Sequence, residues 1–272
     1  MNKGLKKAIF GFILPVIVIV IVGRLNIWLG IVAVLIYFAV LIYLLRTTFF
    51  TILGSRKYSM GEIDQALMWF KRAYDTKKSG VRATVSYAYI LLKNADHESS
   101  EAILQKLLKE NPSSHDVHYI KSILALAIWK KGDLDAAVAM LEEVIENYKT
   151  TSVYGSLGYL LVLKGDLEKA LQFNLEAQEY NSSDKIILDN LGQNYYLLGM
   201  YEKAREIYEP LLEKKPSFPE PYYNYGLVLE KLGNPEAAVD IMRKALDFNF
   251  TYLSTISKDE VNMKIQEIST GL

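Results

Sequence analysis

An interval of 34 residues separates equivalent small side chains along the second half of the chain. Three sets of residues keep this interval: Gly158, Gly192 and Gly226; Gly165, Gly199 and Gly233; and Ala170, Ala204 and Ala238. Self-similarity at a fixed period of about 20 to 50 residues indicates a repeat architecture. We therefore expect a series of similar units, each burying its apolar face against its neighbours.

Each period contains the same order of residue types. A large apolar residue precedes the first glycine, a second glycine follows after seven residues, and alanine follows after twelve. This order resembles the tetratricopeptide (TPR) repeat, a helix-turn-helix unit of 34 residues. The resemblance implies that the first glycine and the alanine lie where the two helices of a unit cross closely. It also implies that the second glycine ends the first helix in left-handed geometry. The resemblance implies an all-α solenoid.

The same spacing can be followed toward the amino terminus. Gly54, Ala88 and Ala125 take the place of the first glycine, and Ala66, Ala102 and Ala137 take that of the alanine. The interval is twelve in every unit except the second, where Ala88 and Ala102 are fourteen apart, so we expect a longer turn at residues 94–98. The pattern predicts a TPR superhelix of six units over residues 47–252: 47–80, 81–116, 117–150, 151–184, 185–218 and 219–252.

Two apolar segments precede the repeats. Residues 8–22 and 27–45 contain no charged side chain and would extend about 22 and 28 Å as helices, against a hydrocarbon core of about 30 Å. We predict a transmembrane hairpin in residues 1–46, with spans at about 5–22 and 27–46 and a turn at residues 23–26. A cleaved signal peptide is the alternative for the first segment, although no small-residue cleavage site follows Val22.

Basic residues near the spans indicate the orientation of the hairpin. Lys3, Lys6 and Lys7 precede the first span, Arg46, Arg56 and Lys57 follow the second, and only Arg24 lies in the connecting loop. Because lysine and arginine are enriched on the cytoplasmic side, we expect both termini and the repeats in the cytoplasm of a multi-pass membrane protein with two spans.

The ends of the repeat array also give expectations. No proline or loop-like cluster separates the second span from Thr47, which predicts one continuous helix running into the first repeat; a break near Gly54 is the alternative. At the other end, residues 253–272 are expected to contain a capping helix, because a terminal repeat has an apolar edge to cover. The apolar residues of this cap are Val261, Met263, Ile265 and Ile268.

Composition argues against several kinds of site. The chain has no cysteine, which removes thiolate catalysis and cysteine-ligated metals, and no phosphate-binding or nucleophile motif. The first 46 residues have five basic and no acidic side chains, so the remainder has a net charge of −5 and presents no large basic surface for nucleic acid. His115 and His118 form only a weak metal pair. We predict no enzyme activity, catalytic residue, metal, cofactor or small-molecule substrate.

The TPR resemblance implies a concave groove lined by the first helix of each unit. In the repeat register the groove residues are Trp129, Tyr159, Asn190, Gln193, Tyr196, Tyr223 and Asn224. Asn190 and Asn224 occupy the same repeat position, where a carboxamide offers donors and an acceptor to the backbone of an extended peptide. The aromatic side chains favour an apolar or aromatic partner segment.

These features predict a membrane-anchored TPR adaptor or scaffold, which binds a protein or extended peptide in its groove and contacts the lipid bilayer through residues 5–46. The alternative is an assembly or stability factor of an integral membrane complex, contacted through the hairpin. Gly30, Ala33 and Ala39 give that alternative only a weak stripe of small residues.

Overall fold

The computed structural model describes residues 11, 13–76 and 79–271. Its described part contains fourteen α-helices and no strand, so the predicted all-α fold is confirmed. The helices are α1 (Leu14–Leu25), α2 (Ile27–Ser59), α3 (Ile63–Tyr74), α4 (Val81–Lys93), α5 (His97–Leu108), α6 (Ser114–Lys131), α7 (Leu134–Asn147), α8 (Thr151–Lys164), α9 (Leu167–Tyr180), α10 (Lys185–Leu197), α11 (Tyr201–Glu213), α12 (Glu220–Lys231), α13 (Pro235–Ala245) and α14 (Lys258–Thr270).

Successive helices pack as couples, and each couple packs on the next. The carboxyl-terminal part of α2 pairs with α3, and α4 with α5, α6 with α7, α8 with α9, α10 with α11 and α12 with α13 form the other five repeats. Turns of two or three residues join the helices within a couple from α4 onward, which makes the partners antiparallel. The predicted α-solenoid is therefore confirmed.

Small residues on the first helix of each repeat make room for a buried side chain sixteen residues later. A Cβ added to Gly192 would lie 2.6 Å from the ring of Tyr208, and one added to Gly54 would lie 3.0 Å from the ring of Phe70. The corresponding side chains are buried in all six repeats. They are Phe70, Leu104, Leu141, Asn174, Tyr208 and Met242.

A left-handed residue follows the small residue by seven positions in every repeat. Five of these residues are glycines, among them Gly165 with φ of 91° and Gly233 with φ of 79°. In the second repeat the position belongs to Ala95, with φ of 65°. Only glycine adopts this conformation without steric cost, so Ala95 is the one strained member of the set.

The second repeat corrects the sequence-based register. Ala102 is exposed, and the buried side chain in its expected place is that of Ser100, which is twelve residues after Ala88. The turn comprises residues 94–96, as short as the turns at 198–200 and 232–234. The prediction of a longer turn was wrong because a serine, which is also small, replaces the crossing alanine.

The amino-terminal region contains two apolar helices. Helix α2 is one continuous helix of 33 residues from Ile27 to Ser59, in agreement with the expected continuation into the first repeat. It is long and apolar enough to cross a membrane, whereas the described part of the first apolar helix has 12 residues. Residues 5–10 and 12 of the predicted first span lie outside the described residues.

The turn between these two helices is shorter than predicted. Helix α1 extends to Leu25, so Asn26 alone connects the helices, in place of the expected residues 23–26. The side chain of Asn26 accepts hydrogen bonds from the N–H groups of Trp28 and Leu29, which caps α2. A Cβ on Gly30 would lie 2.6 Å from the Cα of Gly23, so the glycines allow the helices to approach closely.

The carboxyl-terminal helix α14 packs on α13 and covers the end of the array. Val261 and Ile268 are buried, and Ile265 packs against the same cluster. Met263 is 60% exposed, so its predicted place in the cap was wrong; it lies on the outer face of the helix. Helix α14 begins at Lys258, and residues 246–257 connect it to α13.

Candidate peptide-binding groove

A groove of about 900 Å³ runs along the concave side of the superhelix. First helices of all six repeats contribute to it, from Ser55 and Tyr58 in the first repeat to Glu220 in the sixth. Of the seven predicted groove residues, Trp129, Tyr159 and Asn190 line this groove. The lining is rich in hydroxyl groups, which come from Ser55, Tyr58, Ser86, Tyr89, Tyr119, Ser122, Tyr148, Thr150, Thr151, Ser152, Ser156, Tyr159, Ser217, Thr251, Ser254 and Thr255.

Trp129 and Tyr159 form an aromatic pair in the middle of the groove. Their ring centroids are 5.6 Å apart with an interplanar angle of 67°, an edge-to-face arrangement. The Nζ of Lys130 lies 4.1 Å from the Trp129 centroid. Burial lowers the pKa of Lys130, and the negative charge of Glu220 acts in the opposite direction. This part of the groove therefore has an aromatic surface with a cation beside it.

The two asparagines make hydrogen bonds between neighbouring repeats. Nδ2 of Asn190 donates to the carbonyl of Gly155 at 2.7 Å, and Nδ2 of Asn224 donates to Oδ1 of Asp189 at 3.1 Å. Both side chains are buried, with 3% and 5% exposure. Each bond joins residues 35 apart, so equivalent asparagines connect the first helix of one repeat to that of the preceding repeat. Their peptide-gripping role remains a prediction.

Asp189 lies at the centre of a buried polar cluster. The hydroxyl of Tyr208 donates to Oδ1 of Asp189 at 3.1 Å, and Asn224 donates to the same oxygen. Burial raises the pKa of Asp189 to about 7; the negative charge of Glu220 acts in the same direction, and the hydrogen bonds from Asn224 and Tyr208 oppose it. Burial also raises the pKa of Glu220, against the effect of the Thr255 N–H and Lys93.

Gln193, Tyr196, Tyr223 and Asn224 do not line the groove. Tyr196 and Tyr223 pack against the carboxyl-terminal core cluster. Burial raises the pKa of each phenol, and the positive charge of Lys264 on α14 acts in the opposite direction. The Nζ of Lys264 donates to Oε1 of Glu230 at 2.9 Å. Helix α14 therefore approaches the part of the concave surface that these residues were expected to form.

Two contributions to the groove were absent from the sequence-based site. Lys93 is the thirteenth residue of its unit, as Trp129 is, so extending the count to every unit would have found it; Glu220 is the second residue of the sixth unit. The segment at residues 251–255 also lines the groove, but no periodic signal places it there. His115 and His118 both pack on Tyr148, and the described residues contain no cluster suited to a metal ion.

Family models match the repeats. One described as TPR repeat matches residues 192–233, and two described as tetratricopeptide repeat match residues 219–252 and 124–184. The chain carries tetratricopeptide repeats. The TPR repeat-containing protein MJ1428 of Methanocaldococcus jannaschii is 26% identical over 158 residues, which are 58% of this chain and 27% of that protein.

A second relative matches a shorter stretch of the chain. BBSome complex member BBS4 of Bos taurus is 35% identical over 72 residues, 26% of this chain and 14% of that protein. The chain thus spans between 14% and 27% of the length of these two relatives.

Solved structures share the fold. A tetratricopeptide repeat protein from Parabacteroides merdae superimposes with a TM-score of 0.63 at 15% identity, over 83% of this chain and 85% of that chain. A chain of the APC/C hetero-tetramer Cut9–Hcn1 gives a TM-score of 0.63 at 14% identity, over 82% of this chain and 42% of that chain. TPR arrays are scaffolds as a class, and the family models that match residues 124–184, 192–233 and 219–252 all describe this repeat.

Proposed function

We propose that the chain is a membrane-anchored TPR adaptor that holds a segment of a partner protein in its concave groove, beside the cytoplasmic face of a bilayer. The groove is the observation that carries this proposal. It is about 900 Å³ in volume and has an aromatic pair and many hydroxyl groups in its lining, and the half-buried Lys130 lies against the Trp129 ring of that pair. Such a mixture of aromatic surface and a few polar groups is typical of binding sites.

Exposed apolar side chains on α1 and the first half of α2 support the membrane anchor. Ile17, Ile27, Leu35 and Ile42 are between 49% and 70% exposed, an arrangement that water disfavours and lipid stabilises. Arg46 stacks on the ring of Tyr43 with its Cζ 3.7 Å from the centroid, a pairing suited to the membrane interface. Since α2 continues into the first repeat, the groove would be held at a fixed distance from the bilayer.

Site-specific photocrosslinking in intact cells tests the adaptor. Tyr159 in the groove is replaced by a photoreactive phenylalanine, and Tyr180, which is 47% exposed and lies outside the groove lining, receives the same replacement as a matched control. We expect a discrete crosslinked partner from position 159 and none from position 180. The double variant Trp129→Ala/Tyr159→Ala should lose that partner in affinity purification from membranes.

A third position separates the adaptor from the alternative function. Phe38 is 56% exposed on α2, so a photoreactive residue there reports on neighbours in the membrane. Crosslinks to an integral membrane protein from position 38, with none from position 159, would contradict the adaptor and favour an assembly factor contacted through the hairpin. The small residues Gly23 and Gly30 face each other within the hairpin, which leaves fewer of them for such a partner.

A further inference from the structure

The connection between α13 and α14 enters the groove. It has twelve residues, 246–257, whereas the five earlier connections between helix couples have between three and six. Residues 250–256, here called the strap, are all half-buried. Long connections without secondary structure are uncommon in compact domains and are often functional. The extra length allows the strap to cross the concave surface before α14 begins.

Tyr252 makes the most distant contacts of the strap. Its N–H donates to the carbonyl of Lys93 at 3.3 Å, and its hydroxyl donates to the carbonyl of Lys130 at 3.2 Å. The ring stacks on His97 with a centroid separation of 5.8 Å, and the Nζ of Lys130 lies 5.0 Å from the same ring. These partners belong to the second and third repeats, so the strap connects the carboxyl-terminal end of the superhelix to those repeats.

Thr255 anchors the other end of the strap. Its N–H donates to Oε1 of Glu220 at 3.0 Å. Thr251 and Ser254 close a small turn around Tyr252 and Leu253, in which the Thr251 N–H donates to Oγ of Ser254 at 3.0 Å. Two of the strap's bonds to the groove use its main-chain N–H groups. A different extended segment could make the same bonds, with a tyrosine at the position of Tyr252.

We infer that the strap is an intramolecular stand-in for the partner, and this inference rests on the function proposed above. The groove binds an extended segment that carries a tyrosine followed within a few residues by a small hydroxyl side chain, and this segment displaces the strap. The tyrosine enters the site formed by His97 and Lys130, which lies beside the groove lining, and a main-chain N–H donates to Glu220. Because the strap is tethered at both ends, its effective concentration is on the order of millimolar, and a partner must compete with it.

A peptide with the sequence of residues 249–257 tests this inference directly. Its affinity is measured for the full-length protein in detergent micelles and for the Tyr252→Ala variant, whose strap lacks the ring and the hydroxyl bond. We expect the peptide to bind the variant about tenfold more tightly than the wild type, because the competing strap is weaker. Tyr252→Phe keeps the stacking on His97 and should give an intermediate affinity. A peptide of scrambled sequence should bind neither protein.

A distance measurement shows whether the strap leaves the groove. The chain has no cysteine, so Ser254→Cys in the strap and Glu168→Cys on the exposed face of α9 place two spin labels without background. Excess peptide should lengthen and broaden the distance between them. Peptide binding at an unchanged distance would overturn the inference, since the strap would then be a fixed wall of the groove.

The remaining outcomes are equally decisive. No binding to either protein, equal affinity for both, or binding of the scrambled peptide rejects the strap as a stand-in. If photocrosslinking from position 159 still captures a partner in any of these cases, the adaptor function stands and only the identity of the segment is wrong. Peptide binding without a crosslinked partner would instead reject the adaptor function while leaving the groove chemistry intact.

Discussion

Single glycines determine how closely the two helices of a repeat approach. In the fifth repeat the ring of Tyr208 is fully buried over Gly192, and its hydroxyl is fixed by Asp189. A ring held at both ends has little freedom to move away from an added methyl group. The same restriction does not apply at Gly80, where a Cβ would meet no atom within 4 Å.

Gly192→Ala should therefore destabilise the protein. The added Cβ would meet ring carbons of Tyr208 at 2.6 Å. Overpacking of this kind costs about 1 to 3 kcal/mol. The better helix propensity of alanine offsets up to about 1 kcal/mol of that cost. We expect a lower midpoint of urea unfolding for the full-length protein in detergent. Gly80→Ala serves as the control and should change the midpoint little; equal effects of both substitutions would contradict the close-packing argument.

Replacing Ala95 by glycine should stabilise the protein, in contrast to Gly192→Ala. Its left-handed conformation costs an L-residue roughly 1 to 2 kcal/mol. Glycine avoids this cost, but the greater conformational freedom of its unfolded chain lowers the stability of the fold by about 0.5 to 1 kcal/mol. Ala95→Gly should thus raise the thermal midpoint, by an amount equivalent to about 0.5 to 1 kcal/mol. Ala102→Gly, on the exposed face of α5, should lower it by about 1 kcal/mol. A decrease for both variants would show that Ala95 is not strained.

The spacing of small residues did not identify the helix crossing of the second repeat. Glycine and alanine at fixed spacing revealed five of the six helix crossings, because only small side chains permit them. In the second repeat Ala102 competed with Ser100 for the same role, and an amino-acid pattern alone favoured the alanine. The burial of Ser100 depends on the rotation of α5 against α4, which is a property of the packed couple.

At the scale of helices, the first helices of successive repeats are joined by a repeated polar link. Asn190 bonds to Gly155, and Asn224 bonds to Asp189, so the link spans three consecutive first helices, α8, α10 and α12. Tyr208 adds a bond from α11. The sequence placed both asparagines correctly at one repeat position, but it could not show that a neighbouring repeat would use their N–H groups, since that depends on the superhelical rotation.

The ionisation of Asp189 should make this link sensitive to pH. Burial, aided by Glu220, raises its folded-state pKa from 3.8 to about 7. The folded state binds the proton of Asp189 more tightly than the unfolded state, so protonation of this carboxyl stabilises the fold. This stabilisation is complete below about pH 3.8 and is lost as the pH rises through about 7. Asp189→Asn keeps an acceptor and cannot ionise. Its thermal midpoint should exceed that of the wild type most at pH 8, and the difference should shrink toward pH 5.

An exposed carboxylate provides the control for this pH dependence. The side chain of Asp240 is 75% exposed, so Asp240→Asn should shift the midpoint by a small amount that hardly changes with pH. A constant difference for Asp189→Asn across the same range would mean that Asp189 is already ionised in the folded protein. In that case the hydrogen bonds from Tyr208 and Asn224 would outweigh the effect of burial.

At the scale of the whole molecule, the 34-residue period predicted the couples and their order but not what fills their concave side. The contacts of Tyr252 with His97 and Lys130 join residues 155 and 122 positions apart, and no periodic pattern encodes them. They follow from the curvature that six stacked repeats accumulate. Of the residues predicted from the register, Trp129 and Tyr159 line the groove, whereas the approach of α14 separates Tyr196 and Tyr223 from it.

The orientation of the molecule can be tested because the chain has no cysteine. Leu25 at the turn of the hairpin is 82% exposed, and Glu168 on α9 is exposed as well. The distribution of basic residues predicts that a membrane-impermeant maleimide labels Leu25→Cys in intact cells and labels Glu168→Cys only after lysis. Labelling of Glu168→Cys in intact cells would reverse the orientation and remove the groove from cytoplasmic partners. Labelling of neither variant before lysis would mean that the apolar segment between the two positions, residues 27–45, does not cross the membrane.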